Sequence, residues 1–317
     1  MAEFINNRMK NNVTLAGELV SISNPREGVT GTGIPYVSCR GEIACSEDGS
    51  QIFSFRIFSK KIITSGSGES KTYSESKAYP KLRSGIMGGW VTREMCAINT
   101  ELVPTKICLC GGISQNLYVN QQGNLIEGTE YSITYSRDFK EYKAEIDLEA
   151  YVSKVQEEFV QEEPTGRLVY HLLSKDAYGN ILIVKTYAEG DINMALENAD
   201  LGEGATSTYY IDITRREIEK RSTVIGRAHE AGSFTRKELM LVGALPCYLD
   251  DKAIEPAAAK TMIQEYENKK REVEAAGYQG KGGRSGMIGG RAAAATPAPT
   301  NTAGLTQPVD DLDEIPF

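Results

Sequence analysis

The sequence predicts an all-β dominated protein with one helix and a long low-complexity tail, on three observations. Between residues 12 and 250, short apolar runs alternate with Gly, Asn, Asp and Pro. Several of these runs have a period of two, which is typical of strands with one buried face. From Gly277 onward the chain is Gly, Ala, Thr and Pro with almost no large apolar side chains. Such a segment cannot bury enough surface to offset its conformational entropy, so we expect it to be disordered.

The clearest alternation lies in residues 51–60. One face of this run is apolar, and the other carries Ser54, Arg56, Phe58 and Lys60. Residues 36–43 show the same pattern and are followed by a hairpin turn at 47–50. Further strands are predicted at 13–22, 106–113 and 125–135. Five short strands with long loops are typical of a small closed barrel such as the OB fold.

The pattern recurs later in the chain. Residues 53–58 resemble residues 182–187, and residues 14–20 resemble residues 147–153. Repetition at this spacing predicts two OB-fold barrels in tandem. The alternative is a second, unrelated β-rich domain.

The predicted organisation has five parts. They are an OB-fold domain at 1–140, a second OB-like domain at 141–252, a helix at 253–276, a disordered Gly/Ala-rich linker at 277–307 and an acidic tip at 308–317.

The net charge of −8 is unevenly distributed. Residues 1–140 carry 15 Lys and Arg against 13 Asp and Glu, whereas residues 141–255 carry 13 against 22. Because nucleic-acid surfaces are basic, any such binding should centre on the first segment. No apolar run approaches the ~18 residues of a membrane helix, and the N-terminus lacks the order of a secretory signal. We therefore expect a cytoplasmic protein without membrane contact.

Catalytic and metal-binding patterns are absent from the sequence. There is no phosphate-binding loop and no nucleophile elbow, so an enzyme is not expected. The 6 cysteines and 2 histidines lack paired metal-ligand spacing. We expect buried free thiols, no metal and no cofactor.

The outward face of the two central strands in the first barrel is the leading candidate site. Single-strand binding needs a basic groove for phosphates and exposed aromatic rings on which bases stack. The alternation places both kinds of side chain on this face: Tyr36, Arg40, Arg56, Phe58 and Lys60. The alternative is that Phe58 packs under a loop.

Other candidates lie outside this face. Basic and aromatic residues alternate in loop 60–90, which would form a flexible arm closing over a strand and contribute Lys61, Tyr79 and Trp90. Tyr118 lies in a loop where barrels of this type often bind a ligand. Lys185 and Tyr187 are the analogous candidates for DNA binding in the second domain. The alternative role for that domain is oligomerisation. Residues 215–221 contain four cations mixed with glutamates, and we interpret them as an exposed strand end or helix.

The chain ends with an acidic peptide that finishes on an aromatic residue. Its members are Asp310, Asp311, Asp313, Glu314, Ile315, Pro316 and Phe317. Phe317 could fill an apolar pocket while its carboxylate meets a cation, and the acidic run would steer it to a basic rim. The alternative, a solubilising tail, does not explain the terminal aromatic.

Asp-Glu-Ile-Pro-Phe at the end of a Gly-rich linker resembles the tail of bacterial and bacteriophage single-stranded-DNA-binding proteins. Residues 11–19 are also similar to the first strand of that family. The resemblance implies non-catalytic binding and protection of single-stranded DNA, with recruitment of replication, recombination and repair proteins by the tail. The family usually assembles four barrels, so two barrels per chain would imply a homodimer. The alternative is a recombination mediator or replisome adaptor that acts mainly through protein contacts and binds DNA weakly.

The chain departs from the family in three respects. It is long, loop 60–90 looks inserted, and a second domain stands where the linker would begin. A phage-encoded or two-barrel variant fits the sequence better than the common bacterial form.

Overall fold

A computed structural model describes residues 9–65, 72–160, 163–176, 179–219, 233–249 and 252–279. The predicted linker and acidic tip lie outside these residues, apart from the linker's first three positions, which the last helix includes. No helix within the described ranges is long and apolar enough to cross a membrane.

The protein is dominated by strands, as the sequence predicts. The described ranges contain twelve strands: β1 (Asn11–Val29), β2 (Pro35–Ala44), β3 (Ile52–Lys60), β4 (Ile62–Ser65), β5 (Thr72–Glu75), β6 (Lys106–Val119), β7 (Leu125–Asp138), β8 (Lys143–Val160), β9 (Glu163–Lys175), β10 (Ile181–Ala188), β11 (Thr206–Glu219) and β12 (Ser233–Ala244). The α-helices are α1 (Tyr79–Ser84), α2 (Arg93–Ile98), α3 (Asp191–Asn198) and α4 (Pro256–Gln279), and a π-helical turn spans Gly85–Gly89. Each of the five predicted strands corresponds to an observed one.

Ten strands form one continuous sheet that closes on itself twice. In the first barrel, β1, β2 and β3 pair antiparallel, β3 pairs parallel with β7, and β7 pairs antiparallel with β6. The β6–β1 pairing closes this barrel. The second barrel repeats the arrangement with β8, β9, β10, β12 and β11, including a parallel β10–β12 contact and closure by β11–β8.

Alternation along the strands builds the interior of both barrels. In β3, Phe53, Phe55 and Ile57 point inward and are buried, whereas Ser54 is exposed. In β10, Leu182, Val184 and Thr186 take the inward positions. Burial of one such apolar side chain contributes about 1.5–3 kcal/mol to stability. A shift of one residue in strand register would turn all the inward side chains of that strand to the solvent and lose this contribution.

Residues 79–90 pack into the first barrel, which corrects the prediction of a flexible arm for this part of loop 60–90. Tyr79 and Trp90 are only 6% and 8% exposed and belong to the main core together with Leu82 and Ile86. The Trp90 indole lies against Gly85, where a Cβ would come within 2.1 Å of the ring. Neither aromatic side chain is available to stack on a ligand.

The two barrels are joined by the pairing of β1 with β8. Residues 11–16 of β1 pair with residues 143–148 of β8 along one edge, and residues 13–18 pair with β6 along the other. Asn11 strengthens this junction with three hydrogen bonds. Its side chain donates to the Ile113 carbonyl (2.9 Å) and the Lys175 carbonyl (3.2 Å) and accepts from the Ile113 amide (2.8 Å). The described residues between 9 and 279 accordingly form one compact unit.

Helix α4 begins at Pro256, within the range where the sequence predicts a helix. Its buried residues Ala259, Met262 and Tyr266 pack with Leu173 and Ile181 on the outer face of the second barrel. The Tyr266 hydroxyl donates to Glu127 of β7 (2.9 Å), and the Lys270 ammonium pairs with the same carboxylate (2.7 Å). The helix therefore covers part of the second barrel and is anchored to the first.

We predict that Asn11→Ala lowers the free energy of unfolding by about 1–3 kcal/mol, because it leaves partly buried main-chain groups of both barrels without partners. Urea unfolding would measure the change. The control is Asn12→Ala, which removes the same side chain at the exposed neighbouring position and should change stability by less than about 0.5 kcal/mol. Equal midpoints for the two variants would show that Asn11 does not hold the junction.

The burial of Trp90 predicts weak quenching of its fluorescence by acrylamide. The protein has a single tryptophan, so the emission reports this site alone. We expect the quenching constant of the native protein to be several-fold lower than that of free N-acetyltryptophanamide, and to approach it in urea. A native value equal to that of the free compound would mean that Trp90 lies at the surface.

Candidate nucleic-acid interface

The outward face of β2 and β3 brings together the five residues predicted for the first barrel. Antiparallel register places Tyr36 opposite Lys60 and Arg40 opposite Arg56, with Phe58 opposite Ser38 between these two pairs. All lie on the side of the strands away from the core, because the residues between them, such as Val37 and Ile57, are buried. We call these five side chains the β2–β3 face.

Two aromatic rings of this face contact each other at the surface. The Tyr36 and Phe58 ring centroids are 5.2 Å apart with an interplanar angle of 33°. Both residues are half-buried, and the Lys60 ammonium lies 5.9 Å from the Phe58 centroid. Tyr36 also covers Gly28 of β1, where a Cβ would come within 3.0 Å of the Tyr36 ring. Phe58 therefore packs on an outward neighbour, not in the core.

Arg40 and Arg56 share one carboxylate. Arg56 Nη1 lies 3.4 Å from Glu130 Oε2, and Arg40 Nη2 lies 3.8 Å from Glu130 Oε1. The side chain of Arg40 is 65% exposed and that of Arg56 is 42% exposed. Two guanidinium groups that face each other across one carboxylate leave a surplus positive charge directed to solvent. An anion is the ligand that such a surplus attracts.

A groove of about 540 Å³ meets this face at Arg40, the member of the five that lines it. This volume falls within the range of about 300–1,000 Å³ that is usual for ligand sites. Arg40, Glu42 and Ser54 line the groove from the first barrel, together with Asn116 and Thr129 of β6 and β7. Arg215 and Lys237, two cations that the sequence analysis did not propose as ligand-binding residues, line it from the second barrel.

The Lys237 ammonium lies 4.7 Å from the Tyr131 ring centroid and 3.4 Å from Thr129 Oγ1. Partial burial in the groove, and secondly the charge of Arg215, lower the pKa of Lys237, although its side chain keeps solvent access. Burial raises the pKa of Tyr131, which stays neutral beneath the ammonium. The Lys237 position thus favours a negatively charged ligand that would stabilise the protonated amine.

Two further residues that the sequence predicts for DNA binding are not among the five side chains of the β2–β3 face. Lys61 is the residue after Lys60 and is exposed. Its ammonium lies 3.8 Å from the Glu75 carboxylate. Tyr118 is 43% exposed on β6 near the tip of the β6–β7 hairpin. Tyr79 and Trp90, as described above, are removed from the site by burial in the core.

The structure assigns Tyr187 of the second barrel to an internal network. Guanidinium carbons of Arg167 and Arg236 lie 4.6 and 4.9 Å from its ring centroid, and Arg236 donates a hydrogen bond to its hydroxyl. Arg167 is in turn paired with Glu238 at 2.8 Å and with Glu158 at 3.3 Å. Tyr187 therefore has contacts within the protein at its ring and at its hydroxyl, and its role in stacking stays a prediction.

Lys185 is exposed on the same outward side of β10. Its strand neighbour Ile183 packs against the cluster built on α4, and its cross-strand partner is His171. Burial, followed by the charges of Lys185 and Lys154, lowers the pKa of His171. Lys185 thus stands on a face that the protein itself largely covers.

The cysteines do not form a metal site within the described ranges. These ranges contain no group of three or more His, Cys, Asp or Glu side chains placed to hold a metal ion. Burial raises the pKa of the Cys39 and Cys45 thiols to about 12, so both remain protonated. Cys108 and Cys110 have their sulfur atoms 3.7 Å apart as free thiols.

No protein-family model and no curated protein matches this sequence. Among solved structures, the wild-type single-stranded DNA binding protein from Thermus aquaticus matches with 11% identity and a TM-score of 0.40, over 77% of this chain and 95% of that chain. A deletion mutant of the same protein matches with 12% identity and a TM-score of 0.40, over 78% of this chain and 98% of that one. Likeness at this level carries no conclusion about function, so the function proposed below rests on the residues of this chain.

Proposed function

We propose that the protein binds single-stranded DNA on the β2–β3 face, largely independently of sequence and without catalysis. One observation carries the proposal: a surface pair of aromatic rings, Tyr36 and Phe58, stands beside Arg40, Arg56 and Lys60 on one sheet face. Stacking of a base on an aromatic ring contributes about 1–3 kcal/mol, and cations alongside neutralise the phosphates. Aromatic faces accept every base, so this chemistry predicts little sequence preference.

The strand topology supports the same proposal. We propose that each barrel is an OB fold, since each has five strands in a closed order with one parallel contact between its third and fifth members. OB folds bind oligonucleotides on the face of their second and third strands, which here are β2 and β3. A duplex would keep its bases stacked inside the helix and could not use the Tyr36–Phe58 pair. Single strands are therefore the expected ligand.

The remaining parts of the proposal rest on the sequence alone. We propose that the acidic tip, residues 308–317, recruits replication, recombination and repair proteins, with Phe317 as its anchor. Two OB folds per chain would give four in a homodimer, the number usual in the family that the tail resembles. A cytoplasmic location on DNA accords with this role.

We predict that Phe58→Ala weakens binding to oligo-dT by about 5- to 150-fold, the equivalent of losing about 1–3 kcal/mol of stacking. Fluorescence anisotropy with a labelled oligonucleotide would measure the affinity. The matched control is Phe159→Ala, which removes a phenylalanine that is 59% exposed on β8, remote in sequence from the face, and should leave affinity unchanged. Equal loss in the two variants, or none in either, would contradict the assignment of the face.

Lys60→Gln should reduce the salt dependence of binding. If its ammonium neutralises one phosphate, the slope of log K against log salt should become less steep by about 0.7. The control, Lys260→Gln, removes an exposed lysine of α4 and should leave the slope unchanged. An unchanged slope for Lys60→Gln would show that this lysine makes no phosphate contact. Equal affinity of the wild-type protein for single strands and for duplex would refute the proposed function itself.

A further inference from the structure

The β11–β12 hairpin of the second barrel reaches the first barrel beside the β2–β3 face. Arg215 of β11 pairs with Lys237 of β12 in the hairpin register. The Arg215 amide donates to Gln51 Oε1 at 2.6 Å, and Gln51 Nε2 donates back to the Arg215 carbonyl at 3.4 Å. Gln51 lies just before β3, so these two bonds fix the hairpin at the edge of the groove.

Arg215 and Lys237 have no carboxylate partner among the described residues. Within the described part of the chain, the Lys237 ammonium contacts a ring and a hydroxyl, those of Tyr131 and Thr129. The charge that acts on it is the guanidinium of Arg215, which is also positive. Two like charges held close together, with no carboxylate paired to either, cost free energy, and a bound anion would offset that cost.

Cations from both barrels face the same groove. Arg40 lines it from β2, and Arg215 and Lys237 line it from the hairpin, against the carboxylates of Glu42 and Glu130. Arg56, which shares Glu130 with Arg40, adds a further positive charge at its side. A groove lined by cations is the arrangement that follows a phosphate backbone.

We propose that the hairpin of the second barrel forms one wall of the DNA path, with Arg215 and Lys237 binding phosphates of the strand that lies on the β2–β3 face. The inference rests on the proposed function and adds a contribution from the second domain. That domain is acidic overall, and its outward sheet face is largely covered by α4 and the Tyr187 network. Its contribution to binding comes from this hairpin instead.

The test is the double variant Arg215→Gln/Lys237→Gln, titrated with fluorescent oligo-dT over a range of salt concentrations. We expect affinity to fall about 5- to 50-fold and the salt slope to become less steep by about 1.4, which corresponds to two phosphate contacts. The matched control is Arg216→Gln, because Arg216 is the next residue of β11, is exposed, and lines a different cavity. It should change affinity by less than twofold.

Wild-type protein supplies a second readout that does not depend on the folding of a variant. Amine acetylation followed by mass spectrometry should show Lys237 protected by oligo-dT, whereas the exposed Lys252 should be labelled equally with and without DNA. Unchanged labelling of Lys237, or a double variant that binds like the wild type while Phe58→Ala is impaired, would overturn the inference and leave the proposed function standing. Absence of oligo-dT binding by the wild type would overturn both.

Discussion

The antiparallel pairing of β1 with β8 is the interaction on which the rest of the structure depends. Because the two strands share an edge, the barrels are parts of one sheet, not separate domains on a flexible linker. Asn11 adds side-chain bonds to a strand of each barrel at this point. The pairing fixes where the second barrel stands and therefore which of its residues reach the first barrel's groove.

Local charge, not net charge, governs the proposed binding surface. The chain carries −8 overall, yet Arg40, Arg215 and Lys237 line one groove against two carboxylates, those of Glu42 and Glu130. Glu130 has a particular role, because it contacts both Arg40 and Arg56 and so orients two groups that would otherwise repel each other. In the second barrel the opposite holds, since Arg167 is buried among Glu158, Glu189 and Glu238 and has no charge left for a ligand.

The β2–β3 face could be predicted from the sequence because it depends only on the period-two geometry of two neighbouring strands. Once 51–60 is a strand with Phe53 inside, Arg56 and Phe58 must point outward. Tyr79 and Trp90 were misassigned because basic and polar neighbours suggested an exposed loop. Their burial depends on the tertiary packing of the inserted segment, including the space that Gly85 leaves for the indole.

Arg215 and Lys237 could not be identified from the sequence for a different reason. Their position at the groove follows from strand pairings between residues more than 50 positions apart, which no local pattern reports. Arg215 lies in a mixed-charge run that resembles a solvated strand end, and Lys237 lies in another, between Arg236 and Glu238. The side chains that share one face of a hairpin can be predicted from the sequence more readily than the residues that a second barrel adds to a groove.

The central claim, that a single strand lies on the β2–β3 face with its bases against Tyr36 and Phe58, is tested most directly by photo-crosslinking. An oligonucleotide containing 5-iododeoxyuridine would be irradiated in complex with the wild-type protein, and the modified residues identified by mass spectrometry. The account predicts adducts at Tyr36 and Phe58. Adducts confined to the second barrel, for example at Tyr210 or Phe159, would contradict it.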